Sequence, residues 1–205
     1  RAFSGETETD YAILQSMVAG SHTFILGNKD KILELITKAT KSEDEAIRNK
    51  SIAIIKGAAK SLLMVFLPHL LGGTGFVSQE EFGIKWRVLS DEDIKVCQDI
   101  FNYVYDLMIE LYSSNDIQKK NLGIRCGSAI LKYLSLIVSP STSHVIESQY
   151  PEFNFPKLYR YTVTDFDDIW TKFRLFFTDL ISPETPIQIL KHIMSVAIIM
   201  GNPYR

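Results

Sequence analysis

Apolar residues recur at three- and four-residue spacing along most of this chain, and this period restricts the fold more than any other feature. Residues 91–111 hold the longest example, in which Ile94, Cys97, Phe101 and Val104 would line one face of a helix. Strict alternation of apolar and polar residues, which is typical of a half-buried strand, is almost absent. The sequence therefore predicts an all-α fold, an irregular multi-helix bundle of seven to eight helices.

Local signals predict where these helices begin. Ser42 with Glu45 and Ser90 with Asp93 have the spacing of a capping box, so a helix is expected to begin at each serine. The helix from Ser42 is expected to reach about Leu67. The other predicted helices cover residues 11–20 and 30–41, run from Ser114 or Asn115 to about Val138, begin at Thr164 or Asp165, and cover residues 187–200.

Residues 72–90 contain the weakest helical pattern and several glycines, so they divide the chain. The predicted organisation is an N-terminal helical lobe over 1–71, an irregular connection over 72–90 and a C-terminal helical lobe over 91–205. A single compact domain over 1–205 is the alternative. No repeat of fixed period is present, so a regular solenoid is not predicted, whereas irregular stacking of helices stays open.

The most apolar stretch, residues 60–76, is too short to cross a bilayer. A spanning helix needs about 20 apolar residues, and here Pro68 and Gly72 interrupt the run. We therefore expect no membrane span. The two cysteines, Cys97 and Cys126, are typical of buried thiols in a reducing compartment, which predicts a cytoplasmic protein. Because the chain begins with Arg1 rather than Met, we expect a fragment or a processed product.

The sequence contains no motif that specifies a reaction. The four histidines lie on different predicted elements, and the spacings Cys-x-x-Cys and His-Glu-x-x-His are missing. Cys126 follows Arg125, which would lower a thiol pKa, but its position in the middle of a helix favours a packed thiol over a nucleophile. The prediction is a protein that is not an enzyme and has no metal or cofactor.

Charge is segregated along the chain although the net charge is only -2. Residues 46–79 and 117–146 contain no Asp or Glu, whereas residues 91–116 contain seven acids. If the two acid-free helices lie side by side, their cations would line a groove that attracts a polyanion. The predicted nucleic-acid-binding residues are Arg48, Lys56, Lys60, Lys119, Lys120, Arg125, Lys132, Lys157, Tyr159 and Arg160.

Residues 157–161 interleave cations with tyrosines, a pattern that favours single-stranded RNA because bases stack on aromatic rings. The competing interpretation is a solvated helix face, in which cationic heads reach water while their stems cover the core. The acidic helix after Ser90 would equally suit docking by a basic partner, including a second copy.

Three classes of function therefore stay open. The first is a non-enzymatic structural and assembly protein that self-associates or binds a protein partner, extended to a nucleoprotein-like coating of single-stranded RNA. The second is a protein-only helical adaptor with the same fold. The third is a small-molecule-binding or enzymatic domain whose pocket lies between helices and leaves no motif in the sequence.

Overall fold

The computed structural model describes residues 5–66, 90–137 and 165–200, with the side chains of 63–66, 132, 136–137 and 198–200 left aside. Within these ranges the chain forms eight α-helices and no strand, so the all-α prediction is confirmed. The predicted connection over 72–90 and the segment 157–161 fall almost wholly outside the described residues. The helices are α1 (Glu8–Gly20), α2 (His22–Gly27), α3 (Lys29–Thr40), α4 (Glu45–Phe66), α5 (Asp91–Tyr112), α6 (Ile117–Ile137), α7 (Asp167–Asp179) and α8 (Ile187–Met200).

The capping box predicted at Ser90 is confirmed. The backbone amide of Asp93 donates to Ser90 Oγ at 3.1 Å, and the amide of Ser90 donates to Asp93 Oδ2 at 3.1 Å. The two bonds satisfy donors that the first turn of α5 would otherwise leave without a partner. The acids of this turn also complement the positive end of the helix dipole.

The predicted starts of α4 and α6 are wrong by about one turn of chain, for the same reason in both. An aspartate caps each helix: Asp44 Oδ1 accepts from the amide of Ala46, and Asp116 Oδ1 accepts from the amide of Gln118, each at 2.8 Å. The serine two residues earlier accepts from the amide of that aspartate and forms the preceding turn. The serine is therefore used in the connection, and the helix begins only after the aspartate.

The predicted start of α7 at Thr164 or Asp165 is also wrong, because Phe166 occupies the N-cap position without a side-chain cap. The Phe166 ring is fully buried and meets Phe101 edge to face, with ring centroids 5.6 Å apart. Core packing of this ring fixes the entry of the chain, so a polar cap is not what places the first turn.

The helices α3, α5 and α7 lie parallel in one layer. At the start of α3, Lys29 Nζ contacts Asp99 Oδ2 at 2.7 Å. At its C-cap, Lys41 Nζ lies 3.9 Å from Glu110 Oε1. Both contacts therefore advance along the two helices together, so α3 and α5 run in the same direction. The pairs that join α5 to α7 advance together as well. They are Gln98 with the carbonyl of Asp165, Tyr105 with Phe173, and Tyr112 with Phe176.

The helices α1, α4 and α6 form a second parallel layer, and α8 packs along the other side of α6. Lys50 Nζ of α4 lies 3.5 Å from Glu8 Oε1 at the start of α1, and Gly57 meets Ala19 near its end. Because α3–α4 and α5–α6 are antiparallel hairpins, the two layers result from hairpins stacked side by side. This is the arrangement of α-solenoids, here without a regular repeat.

The central helix is α6, which packs against α4, α5, α7 and α8. Two glycines one turn apart allow α5 to approach closely. A Cβ atom at Gly123 would lie 2.9 Å from both Leu111 Cβ and the carbonyl oxygen of Met108. A Cβ atom at Gly127 would overlap Met108 Sδ and lie 3.2 Å from the Phe177 ring. The glycines therefore set the distance between the layers.

We predict that Gly123→Ala lowers the free energy of unfolding by about 1–2 kcal/mol, because overpacking costs about 1–3 kcal/mol and the gain in helix propensity returns up to about 1 kcal/mol. Urea denaturation measures the difference. Gly27→Ala is the control, since a Cβ atom there meets nothing within 4 Å. Equal stability of the two variants would contradict the close contact between α5 and α6.

Candidate nucleic-acid interface

The two acid-free helices of the sequence, α4 and α6, are neighbours in the structure and run parallel. The guanidinium of Arg125 on α6 donates through Nη1 to Asn49 Oδ1 on α4 at 2.9 Å. Just below this bond, the side chains of Cys126 and Ser51 meet in the buried contact between the helices, and the Ser51 hydroxyl donates to the carbonyl oxygen of Arg48 at 2.6 Å. These two contacts fix the register of α4 against α6.

The register brings Lys56 level with Lys132. Lys56 follows Asn49 by seven residues, and Lys132 follows Arg125 by seven residues. Seven residues of α-helix rise by about 10 Å, so these two positions stay level when the helices run parallel. Lys56 and Lys60 are exposed on the stripe of α4 that carries Asn49, and neither forms an ion pair with a described carboxylate. The backbone position of Lys132 lies two turns beyond Arg125 along α6.

Helix α8 extends this surface on the far side of α6, and sequence reasoning missed its contribution. His192 is half-buried on α8 and close enough to Arg125 to experience its charge. Burial, followed by the positive charge of Arg125, lowers the pKa of His192 below 6.5. Lys191, next to it, is directed away from α6 and lies outside this surface. The absence of acids from residues 185–200 was the available signal, but nothing in the sequence places α8 against α6.

We call the surface around Lys56, Lys60, Arg125 and His192 the acid-poor face. After Glu45, none of the three helices that form it contains an aspartate or a glutamate. The acids concentrate instead at the start of α1 and along α5. Cations on this face are therefore not neutralised by carboxylates from their own helices, and their field acts on whatever approaches from solvent.

The other end of the boundary between α4 and α6 has mixed charge. There Arg48 and Lys119 line a recess of about 500 Å³ together with Lys41 and the carboxylates of Glu43, Glu110 and Asp116. Three acids face three cations, so this end offers a polyanion no net attraction. The predicted binding residues Arg48 and Lys119 thus lie on the same two helices as Lys56 and Arg125, but they are placed among carboxylates.

Two predicted cations have structural partners. Arg48 donates through Nη1 to the carbonyl oxygens of Ser42 at 2.8 Å and Glu43 at 2.7 Å, which fixes the connection between α3 and α4. Lys120 places its ammonium 5.2 Å from the centroid of the Tyr112 ring. The predicted residues Lys157, Tyr159 and Arg160 lie outside the described residues.

Among the described residues we find neither a cluster of metal ligands nor a reactive thiol. No group of three or more His, Cys, Asp or Glu side chains converges there to hold a metal ion. Both thiols are buried, and burial raises the pKa of Cys97 and of Cys126 to about 12. A thiol with such a pKa stays protonated at neutral pH, so it is a poor nucleophile.

None of the helices in the described ranges has both the length and the apolar character needed to cross a bilayer. Comparison of the chain with protein-family models, with curated proteins and with solved structures found no match.

We predict that alkylating reagents label neither cysteine in the folded protein and label both after denaturation. The reason is that both side chains are buried and protonated. Mass spectrometry of the labelled chain measures the outcome. Rapid labelling of Cys126 in the native state would show a reactive thiol and contradict the packed environment.

We predict that His192 makes the protein less stable as the pH falls. Because the pKa of His192 is lowered in the folded state, the unfolded chain binds the proton better. The free energy of unfolding is therefore unaffected above the ordinary histidine pKa and decreases as the pH falls through the folded-state pKa. His192→Gln should therefore make the pH dependence of the free energy of unfolding shallower. His22→Gln, at the first residue of α2, is the control. Identical profiles for wild type and His192→Gln would contradict the prediction.

Proposed function

We propose that this chain is a non-enzymatic helical assembly module that binds the phosphate backbone of single-stranded RNA along the acid-poor face. One observation carries the proposal: the Asn49–Arg125 hydrogen bond between parallel helices, which brings the acid-free stripes of α4 and α6 together. Lys56 and Lys60 then lie on a surface that holds no acid of its own helices, and Lys132 occupies the level position on α6.

Electrostatics favour a polyanion over a small anion as the ligand. The cations are distributed along about two turns of two helices rather than around one enclosed pocket, so they suit a chain of phosphates. The acids of α1 and α5 lie on other helices of the stack, and they would repel a polyanion that approached elsewhere. The low net charge therefore does not argue against binding, because the local field of the face guides association.

The choice of single-stranded RNA depends on the sequence as well. Residues 157–161 supply Lys157 and Arg160 interleaved with Tyr159 and Tyr161. Aromatic rings contribute stacking with unpaired bases, which a duplex does not offer. A helical stack also provides an extended surface of the kind that elongated ligands occupy in α-solenoids.

We predict that the purified chain binds a fluorescein-labelled oligouridine with an affinity that falls steeply with salt. Fluorescence anisotropy over a range of salt concentrations measures the slope of log affinity against log salt, which is about -0.7 for each phosphate neutralised on a single strand. Lys56→Glu with Lys60→Glu should weaken binding by at least about tenfold and should reduce the slope by about one to two.

The matched control is Lys31→Glu with Lys95→Glu, which changes the net charge by the same amount on α3 and α5. Lys31 pairs with Glu34 at 2.8 Å, and Lys95 lies on the acidic helix. The control should bind nearly as well as wild type. Equal losses in the two double variants would show that only net charge matters, and the absence of salt-dependent RNA binding would overturn the proposal in favour of a protein-only adaptor.

A further inference from the structure

The end of the stack formed by α7 and α8 exposes four large apolar side chains. Ile187 is 71% exposed, Met194 60%, Leu175 51% and Ile181 50%. Helix α8 buries Ile189, Ile193 and Val196 against the stack. Helical spacing places Ile187, Lys191 and Met194 on the opposite side, directed away from α6.

An apolar outer face is unusual at the end of such a stack. In stacked hairpins each inner helix buries both sides against its neighbours, as α4 does between α1 and α6. Terminal helices are expected to have a polar outer side because that side faces water. The outer side of α8 instead has the apolar character of a surface that packs against another helix.

The opposite end of the stack, formed by α1, has complementary properties. Its side directed away from α4 carries Thr9, Ile13, Ser16 and Gly20, which are short apart from Ile13, itself 41% exposed. Short side chains let a neighbouring helix approach closely. The charges are opposite as well, since the charged residues of 5–20 are the acids Glu6, Glu8 and Asp10, whereas the charged residue of 185–200 is Lys191.

We propose that copies of this chain stack head to tail, with the outer side of α8 in one copy against the outer side of α1 in the next. Ile187 and Met194 would enclose Ile13, and Lys191 would pair with the exposed Glu6 just before α1. The Lys50–Glu8 pair between α4 and α1 is the internal precedent for this pairing. The inference deepens the assembly part of the proposed function and does not require RNA.

A contact between two different surfaces joins each copy to two neighbours, so it produces chains or closed rings rather than a two-fold dimer. The small area of one helix against another predicts weak, concentration-dependent association. Both properties give the contact a distinctive behaviour in mixtures: a copy with one damaged end still offers the other end to a partner.

The test is sedimentation velocity of the wild type and of two variants, Met194→Glu at one end and Ile13→Glu at the other. The wild type should form species that grow with concentration. Each variant alone should remain monomeric, and an equimolar mixture of the two should form dimers and nothing larger. Ile117→Glu is the matched control, because Ile117 is 39% exposed at the start of α6 and lies at neither end; it should associate like wild type.

Three outcomes would overturn the inference. The first is a wild type that stays monomeric at every concentration. The second is a loss of association caused by Met194→Glu but not by Ile13→Glu, because that result indicates a two-fold contact. The third is a mixture that fails to dimerise although both variants keep the wild-type circular dichroism. The RNA-binding proposal fails separately. Lys56→Glu with Lys60→Glu should assemble like wild type, and both end variants should keep wild-type affinity for a short oligouridine.

Discussion

The parallel contact between α4 and α6 is the interaction on which the rest of the structure depends. Its buried part is the contact between the side chains of Ser51 and Cys126, and its solvent side is the hydrogen bond from Arg125 to Asn49. On the other side of α6, Gly123 and Gly127 remove the side chains that would hold α5 away. The helix can therefore pack against four neighbours at once, and the hairpins join into two layers.

This contact also explains how a nearly neutral protein can present a cationic surface. Acids stabilise the first turns of α1 and α5, where they cap the helix and complement its dipole. Helix α4 begins with the capping Asp44 and with Glu45, helix α6 begins with the capping Asp116, and both continue without further acids. Placing these two helices together, with α8 beside them, separates the charges in space as well as in sequence.

The sequence predicted the helices well because their apolar period and the capping box at Ser90 are local properties. It failed at the starts of α4, α6 and α7, where serine–aspartate turns or the burial of Phe166 decide the first residue. It could not show that α8 packs on α6, because residues 138–186, which include α7, separate them and pairing of distant helices leaves no local pattern. His192 was therefore missed, whereas Lys56 and Arg125 were identified from the missing acids.

The most direct test of the parallel register is a set of distances between spin labels on α4 and α6, measured by pulsed electron resonance. Labels would replace Lys56 on α4 and either Gln118 or Ala129 on α6, two positions about 16 Å apart along the helix axis. Parallel packing predicts that the label at Lys56 lies much closer to the one at Ala129 than to the one at Gln118. The reverse order, or equal distances, would contradict the arrangement from which the acid-poor face is derived.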